Sequence, residues 1–277
     1  MPSANEPPAP SPGSDTNPID ARLVGYDVVD HVATITYNRP DKLNAINGAM
    51  REQLNGTWQR FLADDDAWVA IVTGAGRAFC VGADLTDGNS AGVFPGSFFE
   101  MPTINSFESG LEVWKPTIAA VGGYCLGYGL TAVAACDFVI AADDAEFAMP
   151  EVLLGVPTIV GAIRLPRRIS NFQHALELLL TGDRFDAQWA LDVGLAGRVV
   201  ARDQLLDAAN DLARRLCNGG PLAVRAVKEM AYRGQELPWV DAVRFGETLR
   251  RFVAQTDDAR EGMAARREGR RPEWRGR

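Results

Sequence analysis

The chain has 277 residues, of which 47% are hydrophobic and 23% are charged, and this composition is that of an ordinary globular protein. Its formal net charge of −8 gives no electrostatic reason to expect binding to nucleic acid or to an anionic membrane surface. The four cysteines are widely spaced and form no C-x-x-C pair, so we expect reduced thiols rather than a disulfide framework.

The apolar runs of the sequence are shorter than the roughly 18 residues that a membrane-spanning helix needs. The N-terminal segment also lacks the basic start and the apolar stretch of a secretory signal. We therefore expect a cytoplasmic protein that neither crosses a membrane nor enters the secretory pathway.

Residues 1–20 are rich in Pro, Ser, Asn and Asp and have almost nothing apolar to bury. Such a segment cannot offset the entropy that it would lose on ordering, so we expect a disordered tail. Beyond it, residues 31–37 have the pattern of a strand, and residues 47–62 carry apolar side chains at helical spacing. The tail is therefore followed directly by a folded core.

Short apolar runs predict three buried strands, at residues 68–73, 116–121 and 138–142, with a helix at 127–135 between the last two. Strand, helix and strand in this order predict parallel pairing through right-handed crossovers. After Leu165 the apolar spacing is helical throughout. These patterns divide the chain into a disordered tail at 1–20, an α/β core at 21–205 and a helical C-terminal region at 206–277.

Several standard catalytic and binding motifs are absent from the sequence. It contains no G-x-x-x-x-G-K-[ST] phosphate loop and no G-x-S-x-G nucleophile elbow. Its two histidines, His31 and His174, have no partner at metal-ligand spacing, so we expect neither a histidine-based zinc site nor a catalytic triad. No metal is predicted.

One segment has the outline of a dinucleotide-binding unit. Residues 127–132 fit the pattern G-x-G-x-x-A between a predicted strand and a helix, and the acidic pair Asp143 and Asp144 follows the next strand. The pair comes too soon, however, because the nucleotide-binding pattern places its acidic residue roughly 20 positions on. The unit also lies in the middle of the chain, after two strands. We therefore favour a different interpretation of these glycines over a nicotinamide-dependent oxidoreductase.

The same glycines lie in the second of two segments that share one sequence pattern. Residues 71–85 and residues 118–132 each run from an apolar strand through a glycine-rich turn to the start of a helix. Such turns leave backbone N–H groups unpaired, and the helix dipole adds a partial positive charge. Two N–H groups that converge on one point would form an oxyanion hole. From these patterns alone, two ordinary tight turns between strand and helix are the favoured interpretation.

Motifs along most of the chain occur in the order and at the spacing of one enzyme family. They are Asn38-Arg39-Pro40 with Asn44-Ala45-Ile46, residues 79–85, residues 123–138, Phe147-Ala148-Met149-Pro150-Glu151 with Leu154-Gly155, residues 179–182, residues 190–199 and residues 256–262. Together these segments extend from about residue 24 to residue 268. The sequence resembles the crotonase, or enoyl-CoA hydratase/isomerase, superfamily.

The resemblance implies an α/β fold, a crotonase-like spiral of ββα units with a helical C-terminal trimerisation region. It also implies a homotrimer or a dimer of trimers as the assembly. The implied substrate is an acyl-CoA thioester. Since coenzyme A is then part of the substrate, no separate cofactor is expected.

The resemblance also assigns catalytic positions. It places the two oxyanion N–H donors at Ala83 and Tyr128, where many relatives have glycine in place of the tyrosine, and it places the acid/base carboxylate at Glu151. The second glutamate of the related hydratases would fall at Thr131. A threonine hydroxyl is neither an acid nor a base near neutral pH, although it can hydrogen-bond to water or substrate.

Residues flanking these positions are the implied contacts to substrate and coenzyme A. Lys42 would line the nucleotide end of the pocket, or simply be a solvated surface lysine. Phe94, Phe98 and Phe99 would shape the acyl pocket, or pack as in an ordinary loop. The arginines at 266, 267, 270 and 271 could reach the ligand of a neighbouring subunit, or be solvated. The implied binding residues are Lys42, Asn44, Ala45, Gly82, Asp84, Leu85, Thr86 and Gly127.

The reaction stays open at this point. One carboxylate suffices to move a proton between carbons, which favours double-bond isomerisation, but Glu151 alone could also both deprotonate water and protonate the α-carbon in a hydration. Hydratase-lyases that act on aryl-enoyl thioesters also keep a single glutamate. The threonine at 131 is equally the best argument for a non-catalytic scaffold that keeps the fold.

Overall fold

The computed structural model describes residues 22–86 and 106–277. The predicted tail at residues 1–20 and the phenylalanines Phe94, Phe98 and Phe99 lie outside these residues. None of the helices within the described ranges is both long and apolar enough to cross a membrane.

Ten strands and nine α-helices make up the regular structure of the described residues. The strands are β1 (Val24–Val29), β2 (Val32–Tyr37), β3 (Val69–Gly74), β4 (Ala78–Cys80), β5 (Thr117–Val121), β6 (Tyr124–Leu126), β7 (Phe138–Ala142), β8 (Glu146–Ala148), β9 (Phe185–Asp186) and β10 (Arg198–Val200). The helices are α1 (Gly48–Ala63), α2 (Tyr128–Ala135), α3 (Val160–Arg168), α4 (Phe172–Thr181), α5 (Ala187–Asp192), α6 (Leu205–Cys217), α7 (Pro221–Arg233), α8 (Trp239–Val253) and α9 (Asp257–Glu268).

The strands form two sheets. The larger has the order β1-β2-β3-β5-β7-β10, and all its pairs except β1 with β2 are parallel. The smaller has the order β4-β6-β8-β9. The consecutive strand pairs β3–β4, β5–β6 and β7–β8 each place one strand in each sheet. This repeat is the spiral that the family resemblance implied, and the expected α/β fold with parallel pairing is confirmed.

Helices cover both faces of the larger sheet, as a buried parallel sheet requires. Helix α1 begins at a cap in which the Asn47 side chain accepts from the N–H of Met50 at 2.9 Å. Its apolar stripe, including Leu54, Trp58 and Phe61, is buried in the main core, as the spacing predicted.

Helix α6 packs its small apolar stripe, Leu205, Ala209 and Ala213, on the opposite face of the sheet. The boundary predicted between residues 205 and 206 stays a prediction.

The prediction that the chain is helical throughout after Leu165 is wrong. Strand β10 pairs with β7 at the edge of the larger sheet, and β9 pairs with β8 in the smaller one. Both strands have three residues or fewer, so they are too short to interrupt a helical pattern visibly.

Helix α7 is joined to the core through the carboxylate of Asp137, whose side chain is only 9% exposed. Its Oδ2 accepts from the N–H of Thr117 at 2.7 Å and lies 2.7 Å from Nζ of Lys228. Its Oδ1 accepts from the hydroxyl group of Tyr232 at 2.9 Å. Removing one partner of such a buried pair leaves an uncompensated charge, which is strongly destabilising. The cluster therefore fixes α7 against the turn that follows α2.

Candidate active site

Three chain segments meet at one edge of the smaller sheet. Strands β4, β6 and β8 are neighbours in that sheet, and both pairs are parallel. The carboxyl ends of parallel strands lie at the same edge, where ligands of open α/β sheets commonly bind. Ala83 follows β4, Tyr128 follows β6 and Glu151 follows β8. The structure thus brings the three predicted catalytic positions together.

The segment after β4 is held by a short backbone bridge to Ile46. The N–H of Ile46 donates to the carbonyl of Gly82 at 2.8 Å, and the N–H of Asp84 donates to the carbonyl of Ile46 at 3.0 Å. These two hydrogen bonds involve the backbone groups of Gly82 and Asp84, the residues on either side of Ala83. The N–H of Ala83 itself has no hydrogen-bond partner among residues 22–86 and 106–277.

The segment after β6 enters α2 through a left-handed glycine. Gly127 has φ 53°, and its N–H donates to the carbonyl of Ala148 in β8 at 2.9 Å. Tyr128 is the first residue of α2, so its N–H is one of those that an α-helix leaves unpaired. It has no partner within the described part of the chain. The helix dipole makes this end of α2 favourable for negative charge.

The two segments are in contact. A Cβ atom placed on Gly82 would lie 3.5 Å from the amide nitrogen of Tyr128 and 3.8 Å from Cα of Gly127. Two unpaired amides, one at the residue after Gly82 and one at Tyr128, therefore belong to one small region. Preorganised donors of this kind stabilise an oxygen on which negative charge develops.

Glu151 lies against the second segment. It belongs to a short 3-10 helix, Pro150–Leu154, and a Cβ atom placed on Gly127 would lie 2.7 Å from its Oε1. Its Oε2 is buried and has no hydrogen-bond partner in the described part of the structure. Burial raises the pKa of this carboxyl group above its ordinary value. A buried, unpaired carboxylate oxygen costs stability and is therefore a strong indication of function.

Thr131 lies one turn into α2 and is 4% exposed. Its hydroxyl group contacts the carbonyl of Gly127 at 3.4 Å, a weak bond within its own helix. A Cβ atom placed on Gly161 in α3 would lie 3.2 Å from this hydroxyl oxygen. Thr131 is thus close to the backbone of the site, but it supplies no second carboxylate there.

Two predicted binding residues use their side chains within the protein. The amide of Asn44 accepts from the N–H of Arg39 at 2.8 Å and donates to the carbonyls of Ala75 and Ala78 at 3.0 and 2.8 Å. Asn44 is fully buried. It therefore ties the segment after β2 to the turn between β3 and β4.

Asp84 has a similar structural role. Its Oδ1 accepts from the N–H and hydroxyl group of Thr86, and its Oδ2 accepts from Arg39 at 2.6 Å. The hydrogen bonds from Thr86, followed by that from Arg39, lower the pKa of Asp84 to about 2. Arg39 also donates to the carbonyl of Ala45 at 2.9 Å. These bonds hold the segment that contains the Ala83 amide.

The other predicted binding residues border this region with different exposures. Gly82, Ala45 and Gly127 are buried, whereas Lys42, Leu85 and Thr86 are exposed. Lys42 ends a short 3-10 helix, Pro40–Lys42, and Leu85 is 70% exposed. Their contacts to a ligand stay predictions.

One buried carboxylate beside the site was missed by the sequence analysis. Glu108 is 6% exposed and accepts a hydrogen bond from the hydroxyl group of Tyr128. It lies in the turn at residues 106–110, for which the sequence analysis named no catalytic or binding residue. The available signal was the pattern Ser106-Phe-Glu-Ser, since hydroxyl groups on both sides of a glutamate can satisfy it locally.

Comparisons with known proteins agree with this geometry. The family model described as Enoyl-CoA hydratase/isomerase matches residues 28–277. A carnitinyl-CoA dehydratase of Proteus mirabilis is 38% identical over 252 residues, which are 89% of this chain and 95% of that protein. An (E)-benzylidenesuccinyl-CoA hydratase of Thauera aromatica is 33% identical over 261 residues, 91% of this chain and 99% of the relative.

Solved structures give the same result for the fold. An enoyl-CoA hydratase from Mycobacterium tuberculosis superposes with a TM-score of 0.84 at 34% identity, over 93% of this chain and 100% of that one. An enoyl-CoA hydratase from Bacillus anthracis gives 0.82 at 30% identity, over 92% and 100% of the two chains.

Proposed function

The chain belongs to the enoyl-CoA hydratase/isomerase family, and we propose that it acts on an enoyl-CoA through an enolate bound by the amides of Ala83 and Tyr128. It is an enzyme of the hydratase and lyase type, as its relatives are, and the non-catalytic alternative is set aside. The observation that carries the proposal is the unpaired, buried Oε2 of Glu151, a residue that lies against Gly127, next in sequence to the unpaired amide of Tyr128.

The proposed chemistry follows from these groups. The α-C–H of a thioester is too weakly acidic for a carboxylate base unless the enolate oxygen is stabilised, and each N–H donor contributes about 3–4 kcal/mol in a dry site. In hydration, Glu151 takes a proton from water while the oxygen bonds to the β-carbon. The electron pair of the double bond moves to the thioester oxygen. Glu151 then returns the proton to the α-carbon, which restores the thioester.

Hydration, or the reverse dehydration, is the first candidate reaction. The relatives named above are a dehydratase and a hydratase of CoA thioesters, and a further relative, 36% identical, is a mevalonyl-coenzyme A hydratase of Aspergillus fumigatus. Double-bond isomerisation is the second candidate, and the threonine at 131 supports it, because one carboxylate is enough to move a proton between carbons. Cleavage of an aryl-enoyl-CoA after hydration is a further candidate, and it would use the same carboxylate and the same two amides.

A homotrimer or a dimer of trimers is proposed as the assembly. Large apolar side chains stand exposed on the isolated chain, among them Leu153 at 69%, Phe172 at 60%, Trp239 at 82% and Phe252 at 70%. Surfaces of this kind are covered in stable assemblies. Coenzyme A is proposed to bind as part of the substrate, with Lys42 near its nucleotide end.

Acetoacetyl-CoA tests the proposal directly, because its enolate forms easily and absorbs in the near ultraviolet. We expect the protein to shift bound acetoacetyl-CoA towards the enolate at a pH where the free thioester is mainly in the keto form. A panel of enoyl-CoA esters, assayed for both hydration and double-bond migration, then identifies the reaction. A protein that binds these esters but forms no enolate and turns over none of them would refute the proposed function.

The variant Thr131→Glu should raise the rate of hydration of a short trans-2-enoyl-CoA relative to double-bond migration. A carboxylate at this position would supply a second group able to hold and deprotonate water, and general base catalysis is worth about 10²–10⁴-fold. Thr131→Ser, which keeps the hydroxyl group, is the matched control and should leave the ratio within about twofold of the wild-type value. An unchanged ratio in Thr131→Glu, with intact folding, would show that residue 131 does not control water.

A further inference from the structure

The side chain of Tyr128 is enclosed by polar groups from other parts of the chain. Its hydroxyl group donates to Oε1 of Glu108, in the turn at residues 106–110. The guanidinium carbon of Arg51, on α1, lies 5.0 Å from the centre of its ring, within the range of a cation–π contact. The proposed reaction uses only the backbone N–H of residue 128, so it gives no reason for this enclosure.

Glu108 is itself held firmly. Its Oε1 also accepts from the hydroxyl group of Ser106 at 2.5 Å, and that hydroxyl oxygen lies 2.6 Å from the one of Ser109. Its backbone carbonyl accepts from Nε of Arg164, on α3, at 2.9 Å. Glu108, which accepts from the hydroxyl group of Tyr128, is therefore held in place and connects α2 with α3.

The Tyr128–Glu108 hydrogen bond is costly to break. A carboxylate that is 6% exposed must be hydrogen-bonded, and a bond to an ionised group is roughly twice as strong as one between neutral groups. Burial, followed by the charge of Glu108, raises the pKa of the Tyr128 phenol well above its ordinary value. The phenol therefore remains a donor at every pH at which the enzyme is expected to work.

The peptide unit that carries the Tyr128 amide is held at its carbonyl end, where the carbonyl of Gly127 accepts from the N–H of Thr131 at 3.0 Å. Tyr128 lies between Gly127 and Gly129, and the helix start has no side-chain cap. Gly129 packs against β4, where an added Cβ atom would lie 2.5 Å from the carbonyl oxygen of Cys80, but it has no side chain to hold the peptide. Tyr128 supplies the first side chain of the helix, and Gly127, which precedes this peptide unit, restricts its rotation less than any other residue would.

We propose that the Tyr128–Glu108 hydrogen bond positions the Tyr128 amide towards the thioester oxygen, so that both are positioning residues for the oxyanion hole. This inference rests on the proposed function. It deepens that function, because it assigns a role to a side chain and to a carboxylate that the family resemblance leaves without one. Displacing the amide weakens binding of the enolate oxygen more than binding of the ground-state ester.

The variant Tyr128→Phe tests the proposal, because it removes the hydroxyl group and keeps the ring. We expect kcat to fall by about tenfold to a hundredfold, less than for loss of a whole oxyanion donor, with KM within about threefold. The enolised fraction of bound acetoacetyl-CoA should fall in parallel. Tyr26→Phe is the matched control. The hydroxyl group of Tyr26 donates to Oδ2 of Asp64 at 2.8 Å, and the guanidinium carbon of Arg60 lies 4.2 Å from the centre of its ring. Tyr26 therefore has the same two kinds of contact, but it lies on β1. The control variant should leave kcat and the enolate band unchanged.

Glu108→Gln gives a second, independent test. The glutamine oxygen can still accept from Tyr128, so the enolate band should be weakened less than in Tyr128→Phe. The double variant should lose no more of the band than Tyr128→Phe alone, because both changes act on one contact. The inference would be overturned if the fractional losses of the enolate band multiplied in the double variant, or if Tyr128→Phe kept the wild-type band. If the wild-type protein forms no enolate, the proposed function fails first, and the inference with it.

Discussion

Replacing Glu151 with glutamine is expected to lower kcat on every enoyl-CoA substrate by about 10²–10⁴-fold, the range that acid/base catalysis by a positioned group contributes, since no second carboxylate stands at residue 131. Glutamine has nearly the same size and keeps an acceptor oxygen, so the Kd for a CoA ester should stay within a few-fold of the wild-type value. Turnover assays and calorimetric titration with a non-reactive acyl-CoA measure the two quantities.

The matched control is Glu146→Gln in β8, the strand that leads to Glu151. The Glu146 side chain is exposed and forms a surface ion pair with Arg184 at 3.1 Å. Such pairs contribute little, so this variant should keep full activity and stability within about 1 kcal/mol. Substantial activity in Glu151→Gln would exclude Glu151 as the acid/base group, whatever the control shows.

The pH dependence of kcat/KM reports on the same carboxyl group. Burial raises the pKa of Glu151, and the group must be ionised in the free enzyme to act as a base. Activity should therefore fall as the pH is lowered through a pKa that lies above the ordinary glutamate value of 4.5. An acid limb at or below 4.5 would mean that the group which titrates is not a buried glutamate.

The sequence predicted the three proposed catalytic positions but not the element that aligns them. Glycine-rich turns after apolar strands indicated unpaired amides in two segments, and the family resemblance placed these amides at Ala83 and Tyr128 and the carboxylate at Glu151. Their convergence depends on β4, β6 and β8, which have three residues each. Strands of this length show no periodicity, and only the parallel register of the smaller sheet brings their carboxyl ends to one edge.

The sequence was least informative where one residue serves the scaffold and the site together. Asn44 and Asp84 lie in family motifs, which suggested contacts to substrate. In the structure their side chains are occupied by Arg39, Thr86 and backbone carbonyls. The bonds to Thr86 and to the N–H of Arg39 are local, but the others join residues about 30 to 45 positions apart, and contacts of that kind do not show in local spacing. The same holds for the bond between Tyr128 and Glu108, 20 positions apart in the chain.

Gly127→Ala is expected to be the most damaging change that removes none of the catalytic groups. The added Cβ atom would lie 2.7 Å from Oε1 and 3.3 Å from Cδ of Glu151, so the carboxylate must move away from Gly127. A displacement of about 1 Å in an active site can cost about a hundredfold in rate, and we expect at least that loss in kcat. The residue has φ 53° and ψ −121°, a conformation that residues other than glycine rarely adopt, so alanine is also strained there, by roughly 1–3 kcal/mol.

Gly194→Ala separates these two effects. Gly194 has φ 80° at the end of α5, and an added Cβ atom would meet only the carbonyl oxygen of Arg168, at the ordinary contact distance of 3.8 Å. In this variant alanine must adopt the strained positive φ, but its Cβ atom collides with nothing. The variant should lose about 1–2 kcal/mol of unfolding free energy and keep wild-type kcat. If Gly127→Ala loses the same stability but also keeps its activity, the carboxylate of Glu151 can leave its place against Gly127 without consequence. The amides and the carboxylate would then not act on the same bound substrate.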